Sequence, residues 1–328
     1  MDFKAGMARA AGFALLLAGT LAGGNLFTGT AAAQPAPYPQ KVVTLVTHSS
    51  PGGGSDVFLR ELTKYLGKYI DATFVVENVQ GGSGAKAVAR VAGSPPDGSV
   101  FYATTPTYIY TSLLSKPPKT YKDLEPLANL FADSEVIFTR ADGPYKSLRD
   151  VIDKAKKDRG KWGAANPASL ERQAAEQLKR AAGVNAAIVT HEGGGDMMLN
   201  VMNGTLDIGI GEYQELRSQI EAGKIVVLAT FNPERLPQKP DVPTVKEAGF
   251  NVQLVKFRGL AGPKGLPENV TKVWDEALQK VLQDPDYKKQ YTEEVLVAQF
   301  IGHKDYPAFV NGFATTTEAF LKETGAIK

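Results

Sequence analysis

Apolar and polar positions along this chain alternate between a strand rhythm and a helix rhythm from residue 41 to its end. Residues 41–47 (KVVTLVT) are β-branched and apolar and predict a buried strand. Residues 56–69 place Val57, Leu59, Leu62, Tyr65 and Leu66 at helical spacing, and 73–77 (TFVVE) predict a second strand. A helix is predicted to follow 81–84 and run through Val91, before a third strand over 100–104. The later half repeats this grammar. Helices are predicted over 148–157, 169–182 and 195–202, and strands over 161–165, 186–190, 206–210 and 225–230. Residues 269–283 and 306–324 predict closing helices. Strands alternating with helices argue for an α/β architecture, and the lack of a short repeat argues against a solenoid or propeller.

The junctions carry the chemistry. In open α/β sheets, ligands lie beyond the carboxyl ends of the strands. Helix N-termini there present unpaired N–H groups and partial positive charge, and so hold anions without any lysine or arginine. Four glycine- or serine-bearing turns follow strands, at 52–56, 81–84, 166–169 and 193–196, spread over both halves. They predict a cleft lined by backbone donors. The same turns also serve as tight strand-to-helix connections, with Ser55 or Asp56 as an N-cap.

Before the first strand lies a different kind of segment. Lys4 and Arg9 precede an apolar run over 10–21, and Ala31-Ala32-Ala33 gives a small-residue cleavage site. That order predicts a secretory leader over 1–33, since the run is too short to span a bilayer. Removing it takes the net charge from +2 to +1 and leaves about 295 of 328 residues, a length that suits two lobes. Near-neutral charge gives no reason to expect nucleic acid or a membrane surface as partner. Cysteine is absent, which excludes disulfides, thiol nucleophiles and a lipidated N-terminal cysteine. No membrane anchor is expected.

Catalytic signatures fail one by one. PGGGSD at 51–56 lacks the Gly-Lys-Ser/Thr of a phosphate loop, and GGSGAKA at 81–87 is not a dinucleotide fingerprint. There is no G-x-S-x-G elbow. Three histidines, His48, His191 and His303, lack metal-ligand spacing, so no metal and no cofactor are expected. His48 and His191 follow strands beside glycine turns, which suits either a cleft or ordinary packing. Thr244 and Glu247 have capping-box spacing and are read as structural. A secreted serine hydrolase built on Ser169 or Ser55 with a histidine stands as the alternative from another class.

The ordered series of motifs resembles the tripartite tricarboxylate transporter substrate-binding receptors, the Bug family of periplasmic proteins. It runs through Tyr38-Pro39-x-Lys41, Pro51-Gly52-Gly53 with Ser55-Asp56, Val76-Glu77-Asn78 and Gly81-Gly82-Ser83-Gly84. Pro96-Asp97-Gly98, Tyr121-Lys122-Asp123-Leu124-x-Pro126, Gly193-Gly194-Gly195 and Asn203-Gly204-x-Leu206-Asp207 continue it. Arg235-x-Pro237, Pro240-Asp241-Val242-Pro243-Thr244 and Gly262-Pro263-Lys264-Gly265-x-Pro267 complete it, so the likeness covers 38 to about 324.

The resemblance implies a type II-like, two-lobe periplasmic binding protein. Each lobe would be a doubly wound mixed sheet flanked by helices, with hinge strands between them. Lobe one would comprise 38–136 plus 254–328 and lobe two 137–253. It implies a non-enzymatic, monomeric receptor that captures a small di-, tri- or aromatic carboxylate and hands it to membrane transporter subunits or a sensor. A sensory co-receptor and a receptor for an ATP-driven importer share that form. The ligand-binding positions it implies are Thr47, His48, Ser49, Pro51, Gly52, Gly53, Ser55 and Asp56, with Ser83, Thr104, Thr105, Thr107 and Tyr108 from the same lobe. Lobe two would add Ala165, Asn166, Ser169, His191, Gly193, Glu212 and Tyr213.

Three departures from the family pattern stand out. The lobe-two turn reads Ala165-Asn166-Pro167-Ala168-Ser169, His191-Glu192 replaces the usual Tyr-Lys, and Phe257-Arg258 stands where a tryptophan is common. Phe257 and Arg258 are therefore candidates as well. Arg258 would either pair with a second ligand carboxylate or lie solvated on a hinge strand.

Overall fold

Burial on both faces explains why the strands of this chain read as apolar runs rather than clean alternations. The computed structural model describes residues 38–328, so the expected leader at 1–33 lies outside the described residues. The chain opens with β1 (Val42–Thr47), α1 (Gly54–Leu66), β2 (Thr73–Asn78), α2 (Ala85–Ala92), β3 (Val100–Thr104), α3 (Pro106–Ser115) and β4 (Leu124–Asp133). It continues with β5 (Glu135–Arg140), α4 (Leu148–Lys157), β6 (Lys161–Ala164), α5 (Leu170–Ala182), β7 (Ala187–Thr190), α6 (Gly194–Met202), β8 (Ile208–Glu212), α7 (Tyr213–Glu221) and β9 (Ile225–Thr230). β10 (Lys256–Pro263), α8 (Glu268–Gln283), α9 (Pro285–Glu293), β11 (Val297–Ile301) and α10 (Tyr306–Glu323) follow.

Two mixed sheets result, in the order β11-β4-β10-β3-β1-β2 and β7-β6-β8-β5-β9. β1 pairs in parallel with β2 and β3, and β6 with β7 and β8. β10 runs antiparallel to β3 and β4, and β5 antiparallel to β8 and β9. The chain passes from one sheet to the other at Ser134 and returns between β9 and β10.

Each sheet is sandwiched between helices. Val43, Leu45 and Phe101 face α1 and α8, where Phe58, Leu62 and Trp274 are fully buried. Val46, Val100 and Tyr102 point the other way, toward α2, α3 and α10. In the second sheet Ile137, Ile208 and Ile210 meet α4 and α5, while Val136 and Phe138 meet α6 and α7. Each such apolar side chain contributes about 1.5–3 kcal/mol. Local signals set the ends: Ser147 and Asp150 form a reciprocal cap on α4. Thr244 and Glu247 likewise exchange bonds of 3.0 and 2.8 Å, although the segment they open is a run of turns rather than a helix.

The expected elements of both halves are present, with β8 beginning two residues later than its apolar run suggested. β4, β5, β10 and β11, together with α3, α7 and α9, did not register in the pattern. Their absence from the reading has one physical cause at β4 and β10. Both strands are buried yet carry charge, at Asp133, Lys256 and Arg258.

Candidate functional site

Five helices begin at one small cavity between the two sheets. Its walls are His48, Ser49, Gly54, Ser55, Thr107, Ala165, Asn166, Glu171, Gly193, Gly194, Glu212 and Lys256. These residues belong to the first turns or N-caps of α1, α3, α5, α6 and α7, to the turns before them, and to the first residue of β10. The cavity measures about 10 Å3, room for about one water. A larger depression of about 270 Å3 lies elsewhere, between α5 and the end of α10. Its floor includes Arg172 and Glu176, which pair with each other at 2.9 Å, and it lacks converging helix ends.

Glycines permit this closeness. The turn before α1 and the start of α6 lie against each other. A Cβ on Gly195 would stand 2.5 Å from the Pro51 carbonyl oxygen, and one on Gly193 2.5 Å from the Ser50 amide. Neither is at a strained φ, so approach rather than conformation demands glycine here. Gly54 N–H donates to Glu215 Oε2 at 2.9 Å. The N-terminus of α1 is thus capped by a carboxyl group of the protein's own, carried on α7.

A buried ionic cluster forms part of the cavity wall and extends behind it. Lys256 Nζ lies 2.6 Å from Glu171 Oε1 and 3.3 Å from Glu135 Oε1, and also pairs with Glu212. Arg258 is fully buried; its Nε donates to Asp133 Oδ2 at 3.0 Å, and Nη2 pairs with Asp133 and reaches Glu212 Oε1 at 3.3 Å. Nη1 donates to Ser55 Oγ at 3.3 Å. Arg258 therefore neither lies in solvent nor faces the cavity. Burial alone would raise Glu212, but Lys256 and Arg258 together pull it down to about 2. Burial and the like charge of Glu212 hold Glu215 well above the ordinary carboxylate range. Burial does the same to Glu135, against the pull of Lys256. Burial and the nearby Lys256 press His48 down to about 3, so its ring is neutral, with Nδ1 2.7 Å from the Tyr102 hydroxyl.

Of the positions expected from sequence, His48, Ser49, Ser55, Thr107, Ala165, Asn166, Gly193 and Glu212 come together on the cavity wall. Others act around it. Thr47 Oγ1 accepts from the Ser49 amide, and Asp56 accepts from the Gly52 amide, Arg60 and Asn78. Gly53 packs toward Gly194, while Pro51 and Gly52 are exposed. Ser83 holds a left-handed turn whose carbonyl accepts from Thr111 at 2.6 Å. Thr104 bonds to the Tyr306 hydroxyl at 2.7 Å. The hydroxyls of Thr105 and Tyr108 and Nδ1 of His191 are buried without a hydrogen-bond partner. Tyr108 and Phe257 pack into the first sheet's core and Tyr213 into the second's. Of the two serines considered for a hydrolase, Ser169 Oγ accepts from the Arg172 amide at 3.1 Å as the N-cap of α5, and Ser55 Oγ accepts from Arg258 Nη1 at 3.3 Å. Glu171 and Lys256 went unforeseen, whereas Gly54 and Gly194 lie inside the turns 52–56 and 193–196 that were expected to line the cleft.

Comparison with known proteins bears on the fold and the family. A UPF0065 protein of Cupriavidus necator is 25% identical over 303 residues, covering 91% of this chain and 92% of that protein. An R. palustris protein solved with adipate superposes with a TM-score of 0.82 at 23% identity, covering 88% of this chain and 99% of the other. MatC of Rhodopseudomonas palustris, solved with bound malate, gives a TM-score of 0.71 at 25% identity, over 79% and 90% of the two chains. The model of the tripartite tricarboxylate transporter family receptor matches residues 58–325. With two helix-flanked sheets closing on a cavity at their strand ends, the chain belongs to the tripartite tricarboxylate transporter receptor family of solute-binding proteins.

Proposed function

We propose that this receptor captures a small carboxylate-bearing solute between its two sheets and presents it, unchanged, to the membrane subunits of a secondary transporter. The observation that carries this reading is the meeting of five helix N-termini from both sheets at one cavity. Amides and partial positive charge at such ends favour an anion, and a low-dielectric enclosure strengthens the grip. The dicarboxylates bound to the malate and adipate proteins support the same chemistry. The lobes that pivot would be 38–136 with 254–328 and 137–253, hinged at Ser134 and ahead of β10. The protein would act in the periplasm as a monomer. Among the described residues, no helix is long and apolar enough to cross a membrane.

A cavity for one water is too small for an organic acid, so entry requires the sheets to part and close again. A solute that touches both sides favours the closed arrangement by its differential affinity. Thermal unfolding with a panel of mono-, di-, tri- and aromatic carboxylates tests this. A ligand at 100 times its Kd adds about 2.7 kcal/mol and raises Tm by several degrees. Stabilisation by neutral sugars with no response to any carboxylate would contradict it.

A further inference from the structure

The meeting of the two sheets gathers more carboxyl groups than cations. Asp133, Lys256 and Arg258 come from strands of the first sheet, and Glu135, Glu171, Glu212 and Glu215 from the second sheet and its helices. All seven are buried. The ion pairs go to Asp133, Glu135, Glu171 and Glu212, whereas Glu215 has none among the described residues. Five carboxyl groups facing two cations leave a surplus of negative charge in a desolvated space, and such a surplus is neutralised by protons.

Glu215 is where the surplus falls. Its Oε2 accepts from Gly54 N–H, across the seam between the sheets, at 2.9 Å, and its Oε1 accepts from the Glu212 amide at 3.3 Å. The backbones of Gly194 and Gly211 close over these oxygens, since a Cβ on them would stand 2.1 and 2.2 Å away. The charged groups that face Glu215 are Glu212 at the end of β8, Glu171 on α5, and Lys256 and Arg258 on β10. Glu212 and Glu215 also bond through their carboxyl groups, and one of the two must carry the proton which that bond needs. Lys256 and Arg258 hold Glu212 ionised, which leaves the proton on Glu215. Parting the sheets would remove Gly54 and admit water, returning the Glu215 carboxyl toward its ordinary range.

We propose that closure takes up a proton, held on Glu215 against Glu212, so that solute capture is tied to proton binding and a rise in pH favours release. This rests on the reading of the protein as a receptor that opens and closes. Because the closed form binds this proton more tightly, its contribution is complete below the ordinary carboxylate range and is lost as pH climbs through the raised closed-state value. His48 works in the other direction. Kept neutral in the closed form, it would shed a proton on closure below pH 6.5, so net uptake emerges above that value. Glu135 shares the sign of Glu215 but sits beside the Ser134 crossing, nearest the pivot, where its surroundings change least.

Small-angle scattering of the solute-free full protein, stepped from about pH 7 to 9, and calorimetric titration with adipate and malate over the same steps test the proposal. The radius of gyration should rise with pH, and the affinity for a bound acid should fall by up to about tenfold per pH unit, the limit for one proton. Glu215→Gln offers an N–H to Glu212 but cannot ionise. It should hold one radius throughout and reduce the change in affinity to about threefold or less across the range, whatever its absolute affinity. An acid bound equally well at every pH, or a Glu215→Gln profile as steep as the parent's, would overturn the proton linkage while leaving the receptor intact. Neither acid binding, with a radius that still climbs in the parent and not in Glu215→Gln, would uphold the linkage and count against the carboxylate reading. A flat radius with no binding would overturn both. Should Glu215→Gln fail to fold, the parent's radius decides alone: a climb with pH upholds the proposal and a flat profile overturns it.

Discussion

The amide of Gly54, at the start of α1, donates to Oε2 of Glu215, in the first turn of α7, across 2.9 Å. The same carboxyl accepts from the Glu212 amide through Oε1 at 3.3 Å, so one side chain caps two helices on opposite sides of the cavity. Glu215 is thereby a latch between the sheets as well as a local cap.

Replacing Glu215 with alanine should loosen the closed arrangement. The loss of two buried hydrogen bonds costs about 1–3 kcal/mol. Small-angle scattering should then show a larger radius of gyration than the parent protein. An unchanged radius with unchanged stability would remove the latch from the account.

A bulky side chain at Gly195 should prop the sheets apart, because its Cβ would stand 2.5 Å from a backbone oxygen that cannot swing away. Gly195→Val is expected to weaken solute binding at least 100-fold, about 2.7 kcal/mol, with the circular dichroism spectrum preserved. Titration calorimetry checks the first expectation and spectroscopy the second.

Arg258 behaves as a structural ion, so its loss should appear in stability before it appears in selectivity. Arg258→Met leaves Asp133 buried without its partner, and breaking such a pair costs about 3–5 kcal/mol. The double variant Asp133→Asn with Arg258→Met should recover part of that loss. Urea unfolding of the four proteins in the cycle measures it.

Acid should destabilise the closed protein partly through His48. Its folded-state pKa of about 3 lies below the ordinary 6.5, because burial, Lys256 and Arg258 oppose the imidazolium more than Glu212 favours it. A lowered folded value means that the stability is present above pH 6.5 and is lost as pH falls toward 3. Glu135 and Glu215 act in the opposite sense, since their raised values withdraw stability as pH climbs above the ordinary carboxylate range. His48→Gln should flatten the loss between pH 6.5 and 3, by an amount on the order of a few kcal/mol, in unfolding curves recorded across that interval.

The glycine turns and the helices behind them were legible because their signals are local. Pro51-Gly52-Gly53 ahead of the apolar ladder of α1 announces a strand-to-helix turn within a few residues. The ionic cluster was not legible. Arg258 meets Asp133 from 125 residues away, and Lys256 meets Glu171 from 85, so nothing nearby in sequence marks these charges as buried. Glu171 reads as an ordinary acid in a helix first turn, where it favours the dipole. Only the fold reveals that its carboxylate points into an enclosed space. The same partners hide β4 and β10, whose charged residues interrupt the apolar pattern while remaining inside.

Amide hydrogen exchange, measured with and without a carboxylate-bearing solute that raises Tm, probes the convergence of the two sheets on one ligand most directly. Exchange should slow together at the turn before α1, around Gly53 to Ser55, and at the start of α6, around Gly193 to Asp196. Protection confined to one of these turns, or arising at a distant surface while both exchange as before, would contradict it.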